Sequence, residues 1–306
     1  MTKKLKSLVM APLEIALAPI LLLSLGAMLG TVWLASKIFS EKEPEDDTPP
    51  PPSGESLRLA EAHTVDAARL CKSVEPKYSH IGGAPPIADK FWPQHRSHRM
   101  HFLLRLNLKE LHRALKIDWL PGQGDLLFFV WLDEDISISG KVLHRRSLPK
   151  SETPEAIRGD VQEDELPNFC FVAIEPMISI PTSERLRRQG IVLSEAQADD
   201  LERLREWQTH GQSWHQIGGF PMSIQDDQME LESQCLLEGK AGVTQAPDNE
   251  ARQSMAEGEW RLLAQIDSES ALNLSWVDEG RVYFWILEAD ARAGRFDRVQ
   301  VVVQFH

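Results

Sequence analysis

The chain reads His80-Ile81-Gly82-Gly83-Ala84-Pro85 early in its folded region and His215-Gln216-Ile217-Gly218-Gly219-Phe220-Pro221 late in it. Internal similarity of this kind governs the fold and is sought before individual elements are assigned. Outward from the first copy, residues 101–108 (His-Phe-Leu-Leu-Arg-Leu-Asn-Leu) read as a strand, and residues 109–115 as a short helix. The Pro121, Gly122 and Gly124 cluster punctuates a turn, after which residues 126–131 form an aromatic strand. The second copy keeps that order. Residues 262–267 form an apolar strand, Trp276 to Gly280 a turn, and residues 282–287 a second aromatic strand. Gly124 and Gly280 each stand two residues before an aromatic strand. Agreement in residue type and order points to duplication, with repeats over about 79–135 and 213–305.

The segments around the repeats have their own signatures. Residues 57–74 carry Ala, Leu and Val at helical spacing and read as one or two helical turns packed on the first repeat. Residues 151–166 read as an acidic loop, and 169–180 as a strand ending at Pro181. Ser194 and Gln197 fit a capping box that opens a helix buried through Leu201, Leu204 and Trp207 and ending near Gly211. Residues 301–305 read as a closing β-branched strand.

Ahead of this body, residues 15–35 form an apolar run of about 21 residues, long enough to cross ~30 Å of hydrocarbon as a helix. A cleaved signal peptide is the competing reading, but its apolar core is ordinarily shorter, about 7–15 residues. The run is therefore expected to be an uncleaved single-pass anchor within a 1–39 segment. Lys3, Lys4 and Lys6 outnumber Lys37 and Lys42, which leans towards a cytoplasmic amino terminus and a body outside. Gly26 and Gly30 have the spacing of a helix-dimer contact. Residues 40–56 are acidic and then proline-rich, the composition of an extended tether. The fold class expected is an α+β, strand-rich body of two internally repeated halves over 57–306, preceded by a single transmembrane helix.

Charge and motif content exclude several functions. A net charge of −13 opposes nucleic-acid binding, which needs a basic face. Cys71, Cys170 and Cys235 are widely spaced, without a C-x-x-C pair, and read as buried thiols. No phosphate-binding loop, H-E-x-x-H or G-x-S-x-G motif is present, and no cofactor is implied. His95, His98 and His101 alternate with Arg96 and Arg99. Those guanidiniums would repel a cation, so the group reads as a solvated basic loop and no metal site is assigned.

The remaining candidates flank the double glycines. Gly82, Gly83, Gly218 and Gly219 permit positive φ or close packing, and they could also expose backbone N–H groups to a ligand. His80 and Gln265 join them as ligand-binding candidates. His215, with Gln225 and Asp226 downstream, is material for general acid–base chemistry or for satisfying buried polar groups in a turn.

The ordered set formed by the paired I-G-G-x-P motifs, Trp92-Pro93, Leu120-Pro121, the strand after Gly124, Ile178-Ser179-Ile180-Pro181, and the second-half run from His215 to Trp285 resembles the YwqG family of bacterial proteins. The resemblance covers most of the chain from residue 79 onward and omits the anchor and tether. It implies a strand-rich body of two similar halves without an established activity, and relatives near toxin systems suggest immunity roles. One departure is Arg105, where the family often has Gln; Gln265 keeps the amide in the second copy. The expectation is a membrane-anchored, non-catalytic binding or interaction module with a protein partner. The alternative is an enzyme with its site in a cleft between the halves.

Overall fold

Two strands rich in small and β-branched residues form the spine of the sheet. They are β1 (Val65–Ser73) and β8 (Cys170–Ser179), antiparallel from Val65 opposite Ser179 to Ser73 opposite Phe171. The computed structural model describes residues 52–133, 137–146, 148, 167–209, 212–240 and 249–306. Beside β8 lie β2 (His80–Ile81), β5 (His101–Asn107), β6 (Asp125–Leu132) and β7 (Ile138–Arg145). Beside β1 lie β9 (Gln216–Ile217), β10 (Trp260–Asp267), β11 (Arg281–Leu287) and β12 (Gln300–Gln304). The ten strands form one sheet in the order β12-β11-β10-β9-β1-β8-β2-β5-β6-β7. A separate hairpin pairs β3 (Gln94–His95) with β4 (His98–Arg99).

The two arms match residue for residue. β9 opposite β10 sets Gln216 against Gln265, as β2 opposite β5 sets His80 against Arg105. The register of β5 on β6 shifts between Phe102 and Leu104, and that of β10 on β11 between Leu262 and Ala264. Bulges at the same place bend both arms in the same sense. Paired backbone bonds repeat as well: Leu70 N–H to His215 O (2.9 Å) answers Val172 N–H to Ser79 O (3.0 Å).

Curvature brings the outer strands β7 and β12 together. A Cβ at Gly140 would overlap the Val301 side chain, so only glycine permits this approach. The result is a nearly closed, barrel-like sheet whose inward side chains, among them Leu104, Leu106, Val282 and Ile286, fill the interior. Phe128 and Phe284, equivalent residues of β6 and β11, meet edge to face there at 5.1 Å. Each buried aromatic of this size contributes on the order of 1.5–3 kcal/mol through the area it removes from water.

Helices cover the outside: α1 (Gly54–His63), α2 (Leu108–Ala114), α3 (Ser183–Arg188), α4 (Glu195–Thr209), α5 (Met229–Leu237), α6 (Asn249–Glu259) and α7 (Glu288–Arg292). Ser194 and Gln197 make the reciprocal capping bonds at the start of α4, at 3.2 and 2.9 Å. Met229, Trp260, Tyr283 and Trp285 form a second apolar cluster beneath α5 and α6.

Several expectations are corrected. The body is one continuous sheet, and the segment expected to pack as helical turns supplies one of its two central strands. Residues 57–63 are helical, but β1 follows after Thr64. Its buried residues Ala67, Ala68 and Leu70 are small or aliphatic and lie among charged neighbours, so neither strand alternation nor helical spacing dominates the sequence. The transmembrane helix, and the single-pass membrane localisation drawn from it, are not supported. No described helix is long and apolar enough to cross a membrane. The apolar run at 15–35, with Gly26 and Gly30, lies outside the described residues, as do the acidic loop at 151–166 and most of the tether. The tether's described end already belongs to the body: Ser53 caps α1, and Ser53 N–H and Ser56 Oγ both donate to Asp200, at 3.0 and 2.7 Å.

Candidate functional site

The double-glycine turns adopt the same backbone, with φ of 66° and 74° at Gly82 and Gly83 and 69° and 78° at Gly218 and Gly219. Their surroundings differ. A Cβ on Gly82 would strike the backbone carbonyls of Pro167 and Asn168, and one on Gly83 would lie 2.9 Å from Phe169. The first turn is sealed by this segment. A Cβ on Gly218 would find nothing closer than Ile117 at 3.6 Å. The second turn is open on its Gly218 side, while a Cβ on Gly219 would lie 2.7–2.8 Å from Ser179 and Ala67.

Register also separates the two histidines. Because one residue intervenes in the second copy, His80 corresponds to Gln216 and His215 to Ser79. His80 Nδ1–H donates to Gly82 O at 3.1 Å, as Gln216 Nε2–H donates to Gly218 O at 2.9 Å. His215 Nδ1 accepts from Asp267 N–H at 3.1 Å, as Ser79 Oγ accepts from Asn107 N–H at 2.9 Å. His215 Nε2–H then donates to Glu269 at 2.9 Å, and Lys72 binds the same carboxylate. The His215 hydrogen bond, reinforced by Lys72 against the opposing effect of burial, holds the Glu269 carboxyl down near 2. Both histidines therefore brace turns. The acid pairs alongside them are reversed: Arg105 Nε binds Asp125 at 2.9 Å in the first arm, and Arg281 Nε binds Asp267 at 2.7 Å in the second.

Burial, aided by the Arg105 charge, pushes the His80 imidazole down to about 4, while its bond to Gly82 and the Asp125 carboxylate oppose the shift. A folded pKa below the unfolded value of about 6.5 means the fold favours the neutral ring. That contribution is complete above pH 6.5 and disappears as pH falls towards 4. Urea unfolding across this window is expected to lose about 2–3 kcal/mol of stability through His80. His80→Gln, which copies Gln216, is expected to flatten that part of the profile. An unchanged profile would remove His80 as its source.

The open turn borders a cleft of about 480 Å³. The start of β1 contributes Val65 and Asp66; the chain after α2 contributes Ile117 and Trp119; and β10 and β11 contribute Trp260 and Trp285. Its charged wall is Arg185 of α3, Glu230 of α5 and Glu257 of α6. Thr182 accepts from Arg185 N–H at 3.1 Å to cap α3, and its hydroxyl donates to Asp227 at 2.6 Å. One helical turn then places Arg185 and Arg188 side by side.

Arg185 binds Glu230 directly and lies 3.6 Å from Asp227 and 3.9 Å from Glu257. Arg188 Nη2 holds Asp227 at 2.8 Å and Glu257 at 2.6 Å. Gln253 Nε2 donates to Glu230 at 3.0 Å and to Glu257 at 3.2 Å. Burial pushes the Glu230 carboxyl up, Arg185 pulls it back, and Asp227 raises it again. Burial by itself would depress the Arg185 guanidinium, but the carboxylates around it prevail and hold it above its ordinary value.

A family model described as a domain of unknown function, DUF1963, matches residues 79–304. The chain belongs to the DUF1963 family. No curated protein matches it. The DUF1963 match spans both double-glycine turns and runs to the end of β12, but leaves out α1 and β1.

Of the residues singled out in the sequence, Gly218 and Gly219 line the cleft. Gly82 and Gly83 lie under the 167–169 segment, and His80 packs among Phe102 and Phe169. Gln265 is buried in β10, accepting from Met222 N–H at 2.8 Å. His215, Gln225 and Asp226 do not line the cleft with them. Gln225 Nε2–H donates to Phe305 O at 2.8 Å, and Asp226 accepts from Gln228 N–H at 3.0 Å.

His95 and His98 flank a turn with positive φ at Arg96 and Ser97, and both rings stack on Trp131, at 6.1 and 5.4 Å. No sequence motif marks Arg185, Glu230, Glu257 or Trp260, and Trp285 reads from sequence as a core member of an aromatic strand. The available signal was the run of three arginines at 185, 187 and 188 in a chain of strongly negative charge.

Proposed function

We propose that this DUF1963 chain is a non-catalytic binding module of the YwqG type, and that its ligand site is the cleft over Gly218 and Gly219. The observation that carries this reading is the difference between the two turns. The first is covered by the chain at 167–169, whereas the second opens into about 480 Å³ edged by aromatic and charged side chains. Such a volume lies within the ~300–1,000 Å³ of small-ligand sites. The wall residues favour binding over chemistry because their carboxylates are tied to guanidiniums, Glu230 to Arg185 and Glu257 to Arg188, whereas a general acid or base is poised to exchange a proton with substrate.

Gly258 gives a direct test. It lies at the cleft wall near the end of α6, and a Cβ there would meet no heavy atom within 4 Å. Gly258→Ala is expected to raise stability by about 0.5–1 kcal/mol through helix propensity alone, measured by urea unfolding. Gly258→Phe is expected to fold and to fill the cleft. A fragment library titrated into the full chain should shift the indole NMR signals of Trp119, Trp260 and Trp285, and these shifts should vanish in Gly258→Phe. Shifts that persist in that variant, or fragments that never touch these three indoles, would overturn the assignment.

A further inference from the structure

We propose that the cleft receives a primary ammonium group set beside a carboxylate or carbonyl, the chemistry of a free amino acid or of a peptide amino terminus. This rests on the cleft being a binding site and adds the class of ligand it takes.

The first support is a charge imbalance. Asp227, Glu230 and Glu257 have side chains no more than 6% exposed, and they face two guanidiniums, Arg185 and Arg188. The neighbouring charges do not correct the deficit. Arg205 pairs with Glu202 at 3.5 Å and also acts on Asp227, and Arg188 carries Glu184 at 2.7 Å as well. Arg261, at the cleft edge, shares Glu288 with Arg292, so five guanidiniums meet six carboxylates. Asp66 adds a further carboxylate at the rim. A buried negative charge without a counterion is costly, and its removal from water is offset when a cation joins it. Carboxylate oxygens offer about four acceptor positions. Glu230 uses one on each oxygen, for Arg185 and Gln253, which leaves room for an ammonium.

A second, independent support comes from donors without acceptors. Among the described residues, Arg185 Nε and Trp285 Nε1 are buried and meet no hydrogen-bond acceptor, although the residues are only 4% and 1% exposed. Both residues line the cleft. Leaving a buried donor unsatisfied is costly, so a ligand acceptor is favoured at the same place. A bare cation would answer the carboxylates and leave these donors idle. A simple anion would answer the donors and deepen the charge excess. A ligand with both groups answers both. Half-buried Trp119 supplies aromatic surface for the ligand, beside the nearly fully buried Trp260 and Trp285.

The test is calorimetric titration of the full chain, with tryptophan fluorescence as a second readout. The probes are L-phenylalanine, L-phenylalanine amide, the tripeptide Phe-Ala-Ala, N-acetyl-L-phenylalanine and phenethylamine. Phenylalanine or the tripeptide is expected to bind, and both N-acetylation and loss of the carboxyl group are expected to weaken binding at least about tenfold. A preference for the free acid over the amide and tripeptide identifies an amino acid as the source. The reverse preference identifies a peptide end. Glu230→Gln and Glu257→Gln, each checked for folding by circular dichroism, are expected to weaken ammonium-bearing probes at least about tenfold. Binding of N-acetyl-L-phenylalanine as tight as that of phenylalanine would overturn the proposal. So would failure of every ammonium probe while other fragments still shift the three indoles, an outcome that leaves the cleft as a site for a different chemistry. If no fragment reaches the indoles, the cleft reading fails and this proposal fails with it.

Discussion

Arg185→Ala is expected to destabilise the protein by roughly 3–5 kcal/mol, the cost of leaving buried carboxylates without their counterion. Arg185 contacts Glu230, Asp227 and Glu257 together, and its guanidinium also lies over the Phe220 ring at 5.1 Å. Without it, Asp227 and Glu257 keep Arg188, and Glu230 on α5 keeps only its bond from Gln253. Urea unfolding at pH 7 measures the loss. The sign of its pH dependence is informative. Relative to the wild type at the same pH, the loss should shrink as the pH is lowered towards 5, because protonating one carboxylate removes the uncompensated charge. A second change, Glu230→Gln in the Arg185→Ala background, should recover stability at pH 7 for the same reason. A loss below about 1 kcal/mol, typical of exposed pairs, would show that solvent reaches the cluster and would remove the charge argument.

The second large effect separates the two double-glycine turns. Gly82→Ala is expected to cost more than about 4 kcal/mol or to prevent folding, because it adds a positive-φ penalty to a collision with backbone. The carbonyls of Pro167 and Asn168 cannot rotate away as a flexible side chain could, and Gly83 N–H is tied to Pro167 O at 3.3 Å. Gly218→Ala meets only Ile117 Cδ1 at 3.6 Å, so its cost should stay near the 1–2 kcal/mol of the backbone term. Thermal unfolding of the two variants side by side decides the matter. Equal losses would mean that the two turns are equally packed, and the contrast on which the cleft assignment stands would be gone.

The duplicated I-G-G-x-P motif was legible because glycine and proline constrain the backbone through local sterics that need no distant partner. The aromatic strands were legible for a related reason: Leu126 to Trp131 and Val282 to Leu287 are long apolar runs bounded by turn residues. The same local logic carried the capping box at Ser194. β1 was not legible, since its small residues become strand by lying between β8 and β9, and both partners come from far along the chain. The apparent pairing of His80 with His215 misled because sequence likeness cannot see register. One additional residue places Gln216 opposite Gln265 where His80 stands opposite Arg105, and a shift of one residue exchanges the faces of a strand.

What the sequence by itself determined was therefore what short-range physics controls: the strand-rich character, the turns, the helix caps and the paired glycine motifs. Only the tertiary structure decided that the strands form a single sheet whose outer edges meet, and which glycine turn stays open. It alone gathered Arg185, Glu230 and Glu257 from three helices around a cleft walled by Trp260 and Trp285. Charges on separate helices interact through space at a few ångströms, and no spacing along the chain encodes that distance. The double glycine marks where the turns are, and the packing around each one determines which can bind.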